Sequence, residues 1–530
     1  MKKMYLFAAL LLFLGGSTQA QTPTWSDDVA QLVYDKCGNC HHAGGLAPFS
    51  LLSYSDAFLK RFAMQSNVLS GNMPPWPPDD SYQTYAHKRS LTAAEKTLID
   101  DWVNGGAPEG NAANTPPQPT YNQGSFLGTP DLALKIPNYR SKATASNDDY
   151  VCFSLPTNFP TNKKIKAIEV VPGNPAIVHH CLVYIDQSGN LVTDTSGNCA
   201  GPTSASLAAG YAPGEFPTIF ANSPTVKMGA EMQPGANIIL AMHYPEGSQG
   251  QLDSTKVHLF FYDDTVSNVR LVSADPILND FGFCINANQM GTVNDVFPPS
   301  SGLPANITLL SVFPHGHLLA KDFLVFAVTA LNDTIPLIRV PEWDFEWQGF
   351  YLFKNPIKLP FGSRVYGTGN YDNTTANPNN PNNPPQTVCA GLNTSDEMFL
   401  VYFHYLTYQA GDELLDMDSL TQPPNQGGGN PTAVINQASG SHYLMAYPNP
   451  FKQQVNIEYY LEKEAEVSLQ VYDVHGRMVR QITNGQLQQG SQRVNWDGAS
   501  DAGTDLANGL YLVYLKVGNT ITTKKLMLSK

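Results

Sequence analysis

The sequence predicts a multidomain, mainly β protein: a small α-helical domain first, two tandem β-sandwiches in the middle, and a small β-sandwich at the C-terminus. Three observations predict it. At 530 residues the chain is too long for one core. Its 40 Pro and 42 Gly, with many Val, Tyr, Phe and Thr, favour short strands and turns. Helical periodicity is confined to one early stretch.

Each element follows in order. Residues 1–20 read as a signal peptide: Lys2 and Lys3 precede an apolar run from Leu6 to Leu14, and Ser17 to Ala20 offers a small-residue cleavage site. That run is too short to span a bilayer, and no later stretch approaches the roughly 20 apolar residues a spanning helix needs. Within residues 24–112, Asp28 to Tyr34 and Ala93 to Val103 carry apolar residues at three- and four-residue intervals. Thr92 and Glu95 have capping-box spacing, and Gly105-Gly106 ends the second helix. A Pro/Asn/Gly-rich linker covers 113–129. Residues 130–265 and 266–415 alternate short strands with Pro, Gly and Asn; examples are Ala167 to Val171, Ile177 to Ile185, Ile238 to Tyr244 and Val257 to Tyr262. The loop Asn377 to Pro385 is low in complexity and expected to be exposed. A second linker, 416–441, leads to the final domain, 442–530, with strands Val455 to Tyr460, Val467 to Tyr472 and Leu510 to Val517.

A formal net charge of −14 argues against nucleic acid and anionic membrane surfaces as partners. The chain is expected to leave the cytoplasm through the periplasm as a secreted or surface protein, not an integral membrane one, in a compartment where disulfides persist.

The first chemical motif is Cys37-Gly38-Asn39-Cys40-His41. In a C-x-x-C-H string two thiols can add to haem vinyl groups, and the histidine ligates iron. It falls at the end of the first helix and is followed by Met73 in a Gly-Asn-Met-Pro-Pro-Trp string. The segment resembles a small cytochrome c, in which such a methionine is the second axial ligand; Met64 is the alternative. His/Met ligation fits electron transfer better than oxygen chemistry. His42 and His87 read as ordinary surface histidines, and a structural disulfide or zinc knuckle is the rival account of the cysteines. With Cys37 and Cys40 committed to one covalent c-type haem, Cys152, Cys181, Cys199, Cys284 and Cys389 remain. Five thiols allow at most two disulfides and leave one over.

Most other histidines fall into short strings: Ile177-Val178-His179-His180-Cys181, Ala241-Met242-His243-Tyr244 and Phe313-Pro314-His315-Gly316-His317. A fourth string, Ser395-Asp396-Glu397-Met398, supplies a thioether. Imidazoles suit copper, zinc, iron and nickel, and a thioether narrows the choice towards Cu(I). On a strand His315 and His317 share a face, whereas adjacent His179 and His180 need a bend to share an ion. His258 and His404 read as structural, and Cys181 as a disulfide partner or packed thiol.

In this order, and with Tyr211-Ala212-Pro213-Gly214 between the first two strings, residues 131–410 resemble the type II, ascorbate-dependent copper monooxygenases, the dopamine β-monooxygenase and peptidylglycine α-hydroxylating monooxygenase family. The resemblance implies two jelly-roll-like sandwiches, each holding one copper across a solvent-filled cleft. It implies an electron-storing copper on His179, His180 and His243, and a dioxygen-binding copper on His315, His317 and Met398. His243 also resembles a ligand string of the second copper. The expected activity is hydroxylation of a C–H bond with dioxygen, by an oxidoreductase that incorporates one oxygen atom. Electrons would pass from an external donor through the fused haem to the His179/His180 copper and on to the catalytic one. Phe313 and Leu400 offer no charge for a peptide carboxylate, and Tyr402 could supply a hydroxyl, so an apolar or aromatic small molecule is the expected substrate. The rival reading is a haem–copper electron-transfer or metal-binding surface protein without oxygenase activity.

The tail carries Tyr447-Pro448-Asn449-Pro450-Phe451, Gly476-Arg477-Met478-Val479 and Asn508-Gly509-Leu510-Tyr511. Residues 442–530 resemble the C-terminal sorting domains of the type IX secretion system, which implies that machinery as a partner.

Overall fold

The computed structural model describes residues 22–43, 45, 47–119, 125–144, 147–199, 201–422, 444–447, 451–473, 477–518 and 520–529. The signal peptide, most of the second linker, and the Pro448-Asn449-Pro450 and Gly476 parts of the tail strings lie outside them. The protein is mainly β and forms two compact units, Met1–Asn222 with Met228–Gly427 and Ser223–Lys227 with Gly428–Lys530.

The larger unit opens with helices. A π-helical turn at Trp25–Val29 runs into an α-helix at Ala30–Lys36, and Ala93–Asn104 forms the second expected helix. Both halves of the Thr92/Glu95 capping box are present. A 17-residue helix at Tyr54–Ser70, ended by Gly71 in the left-handed region (φ 84°), was not legible. Its buried residues are Ala57, Met64 and Val68, while Leu59, Phe62 and Leu69 face outwards, so the apolar pattern has no clean stripe. Trp25, Trp102, Val33 and Ile99 centre this small core.

Next come two pairs of sheets, antiparallel except where Arg270–Leu271 joins Met228–Met232 in parallel. In the first, a five-stranded sheet runs Asp194–Gly197, Asp149–Pro156, Asn237–Tyr244, His180–Asp186, Ser206–Tyr211. A six-stranded sheet built around Lys256–Phe261 and Lys163–Val171 accompanies it. In the second pair, Ser273–Asp280, Phe399–Thr407, Ile307–His315 and Tyr351–Leu359 form one sheet. Gln289–Phe297, Arg364–Asn373, Ala320–Val328 and Thr334–Val340 form the other. Side chains of both, among them Val312, Phe403, Phe323 and Val365, share one core.

Three expectations need correction. The strand expected from Ile177 begins only at His180, because Asn174–Ile177 makes a turn closed by Ile177 N–H on Asn174 O. The loop Asn377 to Pro385 is not simply exposed, since the Asn377 amide is buried and donates to Leu318 O and Asp372 O. The helical domain does not stand alone over 24–112. Tyr85 bridges Phe353 and joins the second sandwich core, and Ala86 N–H donates to Leu352 O. His87 is consequently no surface histidine: its ring bonds Thr421 Oγ1 at 2.7 Å and packs on Phe216.

In the C-terminal unit, Val455 to Tyr460 and Val467 to Tyr472 are halves of one 19-residue strand, Val455–Asp473. It pairs with Met478–Trp496 through several register shifts, so one bent sheet takes the place of two separate ones. Alternate residues of both halves (Val455, Ile457, Leu461, Val467, Leu469) line one core with Trp496 and Leu515.

The cysteine arithmetic holds. Cys152–Cys199 and Cys284–Cys389 are disulfides, and Cys181 is a fully buried thiol. The second disulfide spans 105 residues, a loop whose closure restricts the unfolded chain strongly. Replacing both Cys284 and Cys389 with Ser is expected to lower the unfolding free energy by about 2–5 kcal/mol in urea titration; a loss below about 0.5 kcal/mol would show that the bridge is dispensable.

Candidate metal centre

Five histidines scattered over nearly 140 positions meet in the larger unit. Hydrogen-bond register sets His243 directly across from His180 on neighbouring strands. His179 sits just before its strand, where the chain has already turned, and its N–H donates to His243 O at 3.1 Å. That turn meets the bend requirement for adjacent histidines. His180 Nδ1 lies 3.3 Å from both His179 Nδ1 and His243 Nδ1. Two imidazole nitrogens each about 2.0–2.1 Å from one tetrahedral ion would themselves be about 3.3 Å apart. The ligand atoms of the three residues all lie within 4.8 Å of one another.

His243 Nε2 lies 3.4 Å from Asp148 Oδ2, without hydrogen-bond geometry, and the His179 Nε2 is buried with no partner. Burial raises the Asp148 carboxyl, but His243 and the Thr394 N–H outweigh it and hold it below the usual carboxylate range. Asp148 was not legible as a site residue because nothing in its local sequence marks it.

His315 and His317 present the opposite nitrogen. His315 Nδ1–H donates to Gln348 Oε1 at 2.6 Å, and Gln348 Nε2 donates to Phe345 O, which fixes the amide. His317 Nδ1–H donates to Asp396 O at 3.2 Å. In both rings the free lone pair is therefore on Nε2, the orientation that a supporting acceptor imposes on a metal ligand. Glu397 accepts from the backbone N–H groups of His317, Leu319 and Met398, which anchors the His-x-His turn to the fourth string. Met398 itself is buried and precedes the Phe399–Thr407 strand, in which Leu400 pairs with His315. Its backbone O takes the Tyr371 hydroxyl hydrogen bond and lies beside Gly316 of the His-x-His turn.

The two sets are neighbours. The His180 and His315 rings have centroids 5.9 Å apart, and Phe345 stacks on His179 at 4.6 Å while lying 5.8 Å from His317. The five imidazoles thus form one continuous cluster. Beside it is a cavity of about 40 Å³, lined by His179, His180, His315, Phe313, Tyr402, Glu215 and Gln348, with no Lys or Arg in its wall. A second cavity of about 110 Å³ shares Gly210, Glu215 and Gln348 with it and is walled by Trp76, Phe216, Phe220, Phe350 and Tyr351. Tyr402 stacks on Phe313, and burial pushes its phenol up to about 12. His258 pairs with Glu169, and His404 bonds Ser311 Oγ through Nδ1 and lines the second cavity.

The haem-type motif frames its own cavity of about 420 Å³, lined by Cys37, Cys40, His41, Met64, Met73, Phe49 and Leu51 among others. A volume of that order suits a cofactor. Cys37 and Cys40 stay unbridged in a chain whose other paired thiols are oxidised. His41 Nδ1–H donates to Phe49 O at 3.2 Å, leaving Nε2 for a ligand. Both candidate thioethers, Met73 and Met64, reach the cavity.

Burial lowers His315 to about 4 and His179 to about 3, and takes His180 and His317 well below 6.5. These imidazoles are neutral and available to a cation at pH 7. Glu397 moves oppositely, raised by burial to about 7 against the pull of its N–H donors.

Comparison with known proteins adds little beyond the tail. Residues 450–520 match the FlgD Ig-like domain family. No curated protein matches the chain. Among solved structures, PorZ, an essential bacterial surface component of the type-IX secretion system of Porphyromonas gingivalis, is 20% identical over 21% of this chain and 14% of its own, with a TM-score of 0.14. Dimeric latent PorU from the same organism is 10% identical over 70% of this chain and 34% of its own, with a TM-score of 0.15. A β-glucuronidase from Faecalibacterium prausnitzii is 11% identical over 46% of this chain and 38% of its own, also at a TM-score of 0.15. Among the described residues no helix is long and apolar enough to cross a membrane.

Neutral burial has a pH signature. Between 6.5 and about 4 the unfolded state takes up a proton on His315 that the folded state refuses, so this stabilisation is present above 6.5 and lost as pH falls. The urea midpoint of the metal-free protein should therefore drop over that interval, and drop less in His315→Gln. Equal slopes in the two proteins would contradict the burial described.

Proposed function

We propose that this chain is an exported copper-dependent monooxygenase that hydroxylates a C–H bond of a small aromatic or apolar molecule, with a covalent c-type haem as built-in electron carrier. The observation that carries the proposal is the division of the histidines. Three imidazoles converge through Nδ1, while two are turned by acceptors to offer Nε2.

In this reading His179, His180 and His243 would hold an electron-storing copper, and His315 and His317, with Met398 as the candidate thioether, would hold a second one. Copper, when bound, supplies dioxygen activation and one-electron redox change, which no side chain here can. The chain's own residues do the rest. Gln348 and the Asp396 carbonyl fix the His315 and His317 rings, and Glu397 holds the turn between them. Phe313 and Tyr402 wall the adjoining space, and the phenol keeps its proton and can donate it to a substrate acceptor. The smaller cavity has no Lys or Arg in its wall and so offers a carboxylate no partner, while the aromatic lining of the second cavity, which also carries Arg89, suits a ring.

Cys37, Cys40, His41 and Met73 hold the haem in this reading. Two disulfides and the signal-like N-terminus support export, and the sorting-type strings with the Ig-like match support type IX delivery to the cell surface. The small space beside the histidines favours one alternative, a haem–copper electron carrier without oxygenase activity.

Full-length protein reduced anaerobically and then given dioxygen with a panel of aromatic substrates separates the two. The oxygenase reading predicts one hydroxylated product per dioxygen consumed, with His317→Ala and Met398→Ala slower by about 100-fold or more. Dioxygen consumption without product, or unaltered turnover in both variants, would contradict it.

A further inference from the structure

Resting on that oxygenase reading, we propose that Trp347 is the electron bridge from the haem cavity and that electrons enter the copper pair at the His315 side rather than at His179/His180. The contact that carries this is a three-way meeting at Gly214. A Cβ built on Gly214 would lie 3.2 Å from the Trp347 ring, 3.5 Å from Arg89 Nη1 and 3.7 Å from Cys40 Sγ. Gly214 also has φ +79°, so its residue type is fixed by both conformation and space. The indole and the Cys40 sulfur thus both border Gly214, and the indole lines the same cavity as Cys40, His41 and Met73.

From the ring, the path runs through one peptide unit to Gln348, whose Oε1 takes the 2.6 Å hydrogen bond from His315 Nδ1. It contains covalent bonds and one short hydrogen bond. One route to the other set leaves the same loop at Phe345 and crosses to His179 through ring stacking, at 4.6 Å between centroids; another passes Tyr211, which feels the Cys40 thiol and lines the cavity beside His179 and His180. Electronic coupling decays faster across a van der Waals gap than along bonds, which favours the Trp347–Gln348 route over the Phe345 stack. Glu215 keeps this geometry: its carboxylate accepts from Phe350 N–H at 2.5 Å and Ala212 N–H at 3.0 Å, tying the Trp347 loop to the Gly214 turn.

Each transfer oxidises one ferrous haem to ferric and reduces one cupric ion to cuprous; no bond or proton changes place, and the external reductant restores the haem. Trp347 is a positioning and coupling residue that touches no substrate.

The test uses full-length protein loaded with haem and copper, pulsed anaerobically with sub-stoichiometric photoreduced flavin. Haem reoxidation is followed in its absorption bands and copper reduction by freeze-quench electron paramagnetic resonance. Trp347→Leu should slow haem reoxidation by about tenfold or more at unchanged haem and copper content, and Phe345→Leu by less than about twofold. Trp347→Phe, which keeps a ring in the space and guards against a packing failure, should be slowed by a smaller factor than the leucine variant. Wild-type rates in both Trp347 variants, or equal slowing by Phe345→Leu, would overturn the route while leaving the oxygenase reading intact. A parent protein whose reduced haem never passes electrons to copper would overturn both.

Discussion

Three imidazole nitrogens cannot satisfy one another at 3.3 Å. A neutral ring carries one proton and one lone pair, so His180 Nδ1 can serve one of its two neighbours and leaves the other wanting. Buried groups left unpaired in this way cost about 1–3 kcal/mol each. A cation at the shared point takes all three lone pairs at once and removes the conflict. The surrounding fold is arranged around that convergence: a turn at Asn174–Ile177 brings His179 in beside His180, and strand register brings His243 across from it.

The neighbouring pair is built by a different device. His315 ends a strand and His317 lies beyond it, and the chain there is held by carboxylate and amide acceptors more than by sheet pairing. Glu397 lies fully buried, yet three backbone N–H groups of the His317–Leu319 and Met398 segments point at it. The loop through Trp343 and Gln348 closes over both sets, with the Trp343 indole donating to His317 O. One loop therefore touches His179, His315, His317 and the haem cavity.

The ligand candidates were legible because their chemistry is written in short strings: adjacent histidines, His-x-His and C-x-x-C-H need no tertiary context to be noticed. Cysteine parity was equally plain, and it foretold one unpaired thiol, Cys181. Asp148, Phe345 and Gln348 were not legible, since each meets a histidine far along the chain, and Glu215 and Trp347 were not, since they meet distant backbone at Phe350 and Gly214. The Tyr54–Ser70 helix escaped for a related reason, its outward Leu59 and Phe62 obscuring the buried stripe. The distance between the two histidine sets depends on sandwich packing, which periodicity does not encode.

Crystals of copper-loaded protein measured on both sides of the copper absorption edge test the central claim most directly. The account predicts two anomalous peaks, one among the Nδ1 atoms of His179, His180 and His243, the other at the Nε2 atoms of His315 and His317. A single peak shared by all five rings, or none, would contradict it.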